Sequence, residues 1–332
     1  MPRTSMKQPT FLAALLLAPF GLTACSPMTP GTSATDASHA AMTTSAAAAP
    51  TTEPAASDAV ELTVFAATSL SGAFQEIGEG FAAEHPGVIP QFNFAGSQQL
   101  ATQIKEGAAA DVFASANAKQ MDGVIQSGEV LSGTQHTFTR NRLVVVVPKD
   151  NAAGVEGLAD LAKPGLKVVL AAKAVPAGNY ALEVLGKASA SPDFTAAYSA
   201  TVMANVKSFE DDVHGVLGKV AMGEADAGIV YVSDLTNAAA AKVGHVDIPD
   251  ALNVVASYPI APLAHSEHPD LARAFVDYVR SPKGQMVLVK HGFLSTSGNA
   301  SGAAAVAGPI SIKGLGLRSH RPTVASSGRD FS

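Results

Sequence analysis

Leu62-Thr63-Val64-Phe65-Ala66-Ala67-Thr68-Ser69-Leu70-Ser71 is the stretch that decides the architecture. Leu62–Ala66 is an apolar run of strand length, and small, hydroxylated residues end it. Directly behind it, Ser71–Glu84 carries Phe74, Ile77 and Phe81 at helical spacing. A strand that passes within a few residues into a helix is half of a βα repeat.

Further copies follow on both sides of the chain's middle. Val88–Phe94 reads as a strand and Gln98–Glu106 as a helix, with Leu100 and Ile104 on one side. Asp111–Ala114 is a short strand, and Leu143–Val147 a longer one stopped by Pro148. Lys167–Ala171, Val202–Val206 and Gly228–Val232 read as strands, with helices over Asn179–Ala188 and Val213–Met222 between them. Asn253–Pro259 is extended, and Asp270–Arg280 and Gln285–His291 are helical. This alternation predicts the α/β class, with mixed, mostly parallel sheets flanked by helices. Two clusters of βα units, with the chain returning at its end, predict two lobes. Residues 61–141 with 253–296 form the first, and 142–252 the second.

The ends of the chain differ in composition. Residues 1–25 read as a signal peptide, with Arg3 and Lys7 ahead of the apolar run Phe11–Leu22. That run is too short for a comfortable membrane span of about 20 residues. It closes on Leu22-Thr23-Ala24-Cys25, which resembles the bacterial lipobox, so Cys25 is expected to be lipidated. It is the only cysteine, which excludes an intrachain disulfide. Residues 26–60, rich in Ala, Thr, Ser and Pro, read as a tether. Residues 297–332 show no apolar periodicity and read as a disordered tail.

With charged residues at 15% and a net charge of −6, the chain has no basic footprint for nucleic acid. It has no tryptophan and five tyrosines, which argues against an aromatic groove for sugars or peptides. No nucleophile elbow, Walker loop or His-Glu-x-x-His motif is present. His265 and His268 stand in a Pro-bounded loop and lack a companion ligand for a metal.

Small polar segments recur where strands meet helices. A helix start leaves backbone N–H groups unpaired and carries roughly half a positive charge, so such junctions suit anions. Four fit: Ala67–Ser71, Phe94–Gln99, Val175–Tyr180 and Ser208–Val213. The last has two registers. If Ser208 caps the helix, with Asp211 completing a capping box, the N–H of Val213 is spent inside it. If Asp211 caps it, that N–H is free. Tyr231 closes a fifth segment, Gly228–Tyr231. Taken singly, each junction reads better as an ordinary helix cap or a packing residue than as a ligand site.

Their order along the chain is more specific. The sequence resembles the molybdate-binding proteins of ABC importers from about Glu61 to Leu294. The segments that carry the likeness are Val64–Leu70, Phe94-Ala95-Gly96-Ser97, Ala110-Asp111-Val112-Phe113-Ala114-Ser115-Ala116, Val175-Pro176-Ala177-Gly178-Asn179-Tyr180-Ala181, Glu210-Asp211-Asp212-Val213 and Gly223–Tyr231. The resemblance implies a two-lobed type II periplasmic binding protein fold with the ligand in the interlobe cleft. It implies an oxyanion held by the hydroxyls of Ser69, Ser97 and Tyr231 and the N–H groups of Ala177 and Val213, with no direct protein–metal ligand. It also implies an extracytoplasmic carrier that delivers molybdate or tungstate to an ABC permease; a monomer is expected, and its lipid anchoring rests on Cys25 and the tether, apart from the resemblance. Such a carrier needs no cofactor and catalyses nothing. A site of donors alone suits a dianion without protons better than hydrogen phosphate, whose O–H would be left unpaired. The rival readings are a sulfate binder of the same fold and, lower, an α/β hydrolase.

Overall fold

A computed structural model describes residues 59–236 and 238–296. Cys25, the signal peptide, nearly all of the 26–60 tether and the 297–332 tail lie outside the described residues.

The first strand, β1 (Val60–Ala67), runs through Thr68–Leu70, a short 3-10 turn, into α1 (Ser71–Glu84). Then come β2 (Val88–Ala95), α2 (Ser97–Lys105), β3 (Val112–Ala114) and α3 (Ala118–Gln126). The long strand β4 (His136–Pro148) leads to β5 (Val168–Ala171), α4 (Pro176–Ala190), α5 (Tyr198–Asn205), β6 (Val206–Glu210), α6 (Val213–Ala221) and β7 (Ala227–Tyr231). The chain closes with β8 (Val243–Asp247), β9 (Val255–Pro262), α7 (Pro269–Arg280) and α8 (Pro282–Lys290).

Alternation along β1 shows why it is buried on both faces. Leu62, Val64 and Ala66 share a core with Phe74, Ile77 and Phe81 of α1. Phe65 points the other way, into a second cluster with Leu100, Ile104, Met121 and Val124 of α2 and α3. Helices on both faces are what a largely parallel sheet requires.

The strands run in the order β2-β1-β3-β9-β4-β7-β5-β6, with β8 also on β4. β1 pairs parallel with β2 and β3, and β5 with β6 and β7. Among the described residues, every antiparallel pairing involves β4 or β9. These two strands carry the chain between the halves. β4 pairs with β9 over His136–Arg142, and with β7 from Leu143 onward. One continuous strand thus pairs into both halves of the sheet, changing partner at Arg142–Leu143.

One segment contradicts the sequence reading and three others escape it. Val202–Val206 is not a strand: α5 continues to Asn205 and β6 starts at Val206. The β-branched Val202 belongs to a helical face with Tyr198 and Asn205, all buried at i, i+4 and i+7. The front half of β4, together with α3 and β8, gives no apolar run long enough to read.

The first lobe's core centres on Phe74, fully buried among the rings of Phe92, Phe138 and Phe275 with centroids at 6.2, 5.8 and 6.0 Å. Phe74→Ala is expected to lower unfolding free energy by about 3–5 kcal/mol, measured by urea denaturation. A loss under about 1 kcal/mol would show that this cluster collapses freely around the gap.

Candidate functional site

All the predicted junctions end at one small cavity. It is lined by Ala67, Thr68, Ser69, Ala95, Gly96, Ser97, Ala116, Val175, Pro176, Ala177, Asp212, Val213 and Tyr231, and leaves about 20 Å³ for the centre of a water-sized sphere. That is enough for at least one water-sized group. The structure therefore brings Ser69, Ser97, Ala177, Val213 and Tyr231 together, and no lysine or arginine lines the cavity.

Each donor is set by its element. Ser97 is the first residue of α2, and its Oγ accepts the Ala116 N–H at 3.0 Å. With that lone pair used, the serine proton is free to point into the cavity. Gly96 ahead of it is required by close approach: a Cβ there would lie 2.6 Å from the Asp211 carbonyl oxygen. Ser69 sits in the 3-10 turn, with its Oγ 3.0 Å from the Tyr258 hydroxyl.

Ala177 is the second residue of α4, after Pro176. The first intrahelical bond there is from the Asn179 N–H to the Val175 carbonyl, at 3.0 Å, so the Ala177 N–H precedes the ladder. Gly178 lets this helix start sit on the end of β5, since a Cβ would fall 2.1 Å from the Ala172 carbonyl oxygen.

Val213 follows neither register read from sequence. Asp212 is the cap: it is extended, and its Oδ1 accepts the Gly215 N–H at 2.9 Å. Val213 is then the first helical residue, and its N–H has no intrahelical acceptor. Ser208 cannot cap the helix because it lies inside β6, where its hydroxyl donates to Glu210 Oε1 at 2.7 Å.

Tyr231, at the end of β7, is buried, and its hydroxyl has no hydrogen-bond partner among the described residues. Burial pushes its pKa well above the ordinary value. At neutral pH it is therefore a protonated donor.

One lining group departs from a site made only of donors. Asp212 brings a carboxylate to the cavity, but both oxygens are engaged: Oδ1 by Gly215 and Oδ2 by the Thr68 hydroxyl at 3.3 Å. That second bond crosses from the β1 side to the β6 side. Gln98 Nε2 to the Asp211 carbonyl at 3.0 Å and Gln120 Nε2 to the Ala174 carbonyl at 3.3 Å cross it too. The lips of the cleft are in contact. Among the described residues no group of three or more His, Cys, Asp or Glu side chains is placed to hold a metal ion.

Residues 62–294 match the model of a family described as bacterial extracellular solute-binding protein. The chain belongs to that family. It is 43% identical over 232 residues to the molybdate-binding protein ModA of Mycobacterium bovis, spanning 70% of this chain and 84% of the relative. It is 34% identical over 249 residues to ModA of Escherichia coli, spanning 72% and 91%. Among solved structures it is similar to the substrate-binding domain of a putative molybdenum ABC transporter from Clostridium difficile. The TM-score is 0.54 at 30% identity, covering 71% of this chain and 99% of that one. These relatives are carriers of solutes, not enzymes, and the family places the protein outside the cytoplasm.

Sequence reading missed Asp234. It is buried, its Oδ2 accepts the Tyr231 N–H at 2.9 Å, and its Oδ1 has no hydrogen bond among the described residues, with His214 Nε2 lying 4.0 Å away. Burial is the largest cause raising its pKa, to about 7, with the nearby Asp212 adding to it. The folded state therefore binds a proton that the unfolded chain releases near pH 4. Stability falls as pH rises from there through about 7. Asp234→Asn keeps the acceptor and removes the titration. Its melting temperature is expected to gain on the wild type as pH is raised from 5 to 8; parallel curves would contradict the assignment.

Proposed function

We propose that this solute-binding protein captures molybdate, and tungstate equally, and hands it to an ABC permease without catalysing a reaction or using a cofactor. One observation carries the reading: five residues able to offer neutral donors, from both sides of a cleft, line one small cavity. The names of its relatives supply the ion, and the donor set supplies the physical reason.

The dianion carries no proton, so every oxygen is an acceptor. Each hydrogen bond to a charged group contributes about 1.5–3 kcal/mol, so five give roughly 8–15 kcal/mol before desolvation and ordering costs. Micromolar to nanomolar binding, about −8 to −12 kcal/mol, is within reach without a cationic side chain. Three helix starts and a 3-10 turn add partial positive charge where the global charge of −6 adds none.

Ser69 and Ser97 come from one side, Ala177, Val213 and Tyr231 from the other, so the ion bridges them. The lip contacts at Thr68, Gln98 and Gln120 fit a closed form that holds the ion and docks on the permease. Lipidation at Cys25 would hold a monomer at the membrane surface with residues 26–60 as its tether.

Calorimetry with molybdate, tungstate, sulfate and phosphate tests the reading. Molybdate and tungstate are expected to bind alike and far more tightly than phosphate; sulfate bound tightly with molybdate ignored would overturn it. Ser97→Ala is expected to weaken molybdate by about 1.5–3 kcal/mol. An unchanged affinity would remove Ser97 from the site.

A further inference from the structure

Behind Ser69 lies a hydrogen-bonded relay that the binding site itself does not include. Asn141 stands on β4 at the crossing between lobes, and its Oδ1 accepts the Arg142 N–H at 2.9 Å. That bond fixes the amide's orientation, so Nδ2 is the group that faces inward. It donates to Ser233 Oγ at 2.8 Å and to the Tyr258 hydroxyl at 3.4 Å. Asn141 and Tyr258 are both fully buried.

Tyr258 is pushed well above the ordinary tyrosine pKa, chiefly by burial, so it keeps its proton. A buried hydroxyl must place that proton on an acceptor. Its oxygen already accepts from Asn141, and the partner left to it is Ser69 Oγ at 3.0 Å. Tyr231 packs edge-on against it at 5.7 Å between centroids; the two hydroxyls lie close enough to influence each other, but no hydrogen bond of normal geometry joins them, whereas Ser69 Oγ makes one. Protons therefore run one way: Asn141 to Tyr258, Tyr258 to Ser69, Ser69 to the cavity.

We propose that Asn141 and Tyr258 are positioning residues for anion selectivity: they fill the lone pair of Ser69 so that it presents a proton to the ligand. Ser97 is polarised in the same sense by the backbone, through the Ala116 N–H. The Asp212 carboxylate is already committed to Gly215 and Thr68. A bare oxyanion meets donors at both serines, whereas hydrogen phosphate brings an O–H that neither serine accepts. Without the relay, Ser69 turns its proton back and offers a lone pair, and the penalty on the protonated ion falls.

This inference rests on the proposed oxyanion function, and one calorimetric series separates the two. At pH 8 molybdate and sulfate carry no proton and phosphate carries one. Tyr258→Phe is expected to weaken molybdate about fivefold and to narrow the molybdate-to-phosphate preference, leaving molybdate-to-sulfate within about twofold. Adding Tyr258→Phe to Ser69→Ala is expected to change molybdate affinity less than about twofold, because the serine it acts through is gone. Unchanged selectivity in Tyr258→Phe, or losses that add in the double variant, would overturn the relay. If Tyr258→Phe does not fold, Asn141→Asp carries the test: its carboxylate takes the Tyr258 proton, reverses the relay and narrows the same preference. A wild type that binds sulfate in place of molybdate overturns the ion's identity, and the relay is then read from the sulfate-to-phosphate ratio. A wild type that binds no oxyanion overturns both.

Discussion

Under the proposed function the structure answers one constraint: a buried dianion must be held with no cation beside it. Desolvating such an ion without compensation is prohibitive. Here the compensation comes from dipoles fixed by the fold. The starts of α2, α4 and α6 and the 3-10 turn before α1 all end at one cavity, where their leading N–H groups lack helical partners. Those groups are obligatory donors. They would be a cost if sealed in an empty protein, and they become an asset once an acceptor with charge fills the space.

The same constraint explains why the cleft is built around β4 and β9. Donors on a single rigid half cannot surround an ion that must also enter. One strand that pairs into both halves sets the two groups of donors on either side of the cavity, and a single apolar core runs continuously beneath them. Close backbone approach then becomes the limiting tolerance. Gly96 and Gly178 stand where any side chain would strike a carbonyl oxygen, one at the lip and one at a helix start.

Much of this was legible in the sequence because the donors lie next to the elements that aim them. Ser69, Ser97 and Ala177 each follow a readable strand and stand at the start of a readable helix, and Val213 opens a readable helix although the strand before it was misplaced. The cap of α6 stays open between Ser208 and Asp211 in the sequence and is neither, since Ser208, Asp211 and Asp212 are all good caps by type. Strand pairing holds Ser208 in β6, and the bond from the Gly215 N–H picks Asp212 over Asp211. Val202 misled because a β-branched residue on a buried helical face looks locally like a strand. Tyr258, Asn141 and Asp234 carry no local signal at all. Tyr258 meets Ser69 across 189 positions, and Asn141 meets Ser233 across 92. The supporting polar network is a product of topology, so sequence periodicity does not report it.

The central claim is capture of an oxyanion by neutral donors alone. A crystal structure of the protein grown with molybdate, with the metal located by its anomalous scattering, tests it most directly. The account predicts molybdenum in this cavity, with its oxygens bonded to Ser69, Ser97, Tyr231 and the N–H groups of Ala177 and Val213. A lysine or arginine in contact with the ion, or molybdenum bound elsewhere with this cavity closed around nothing, would contradict it.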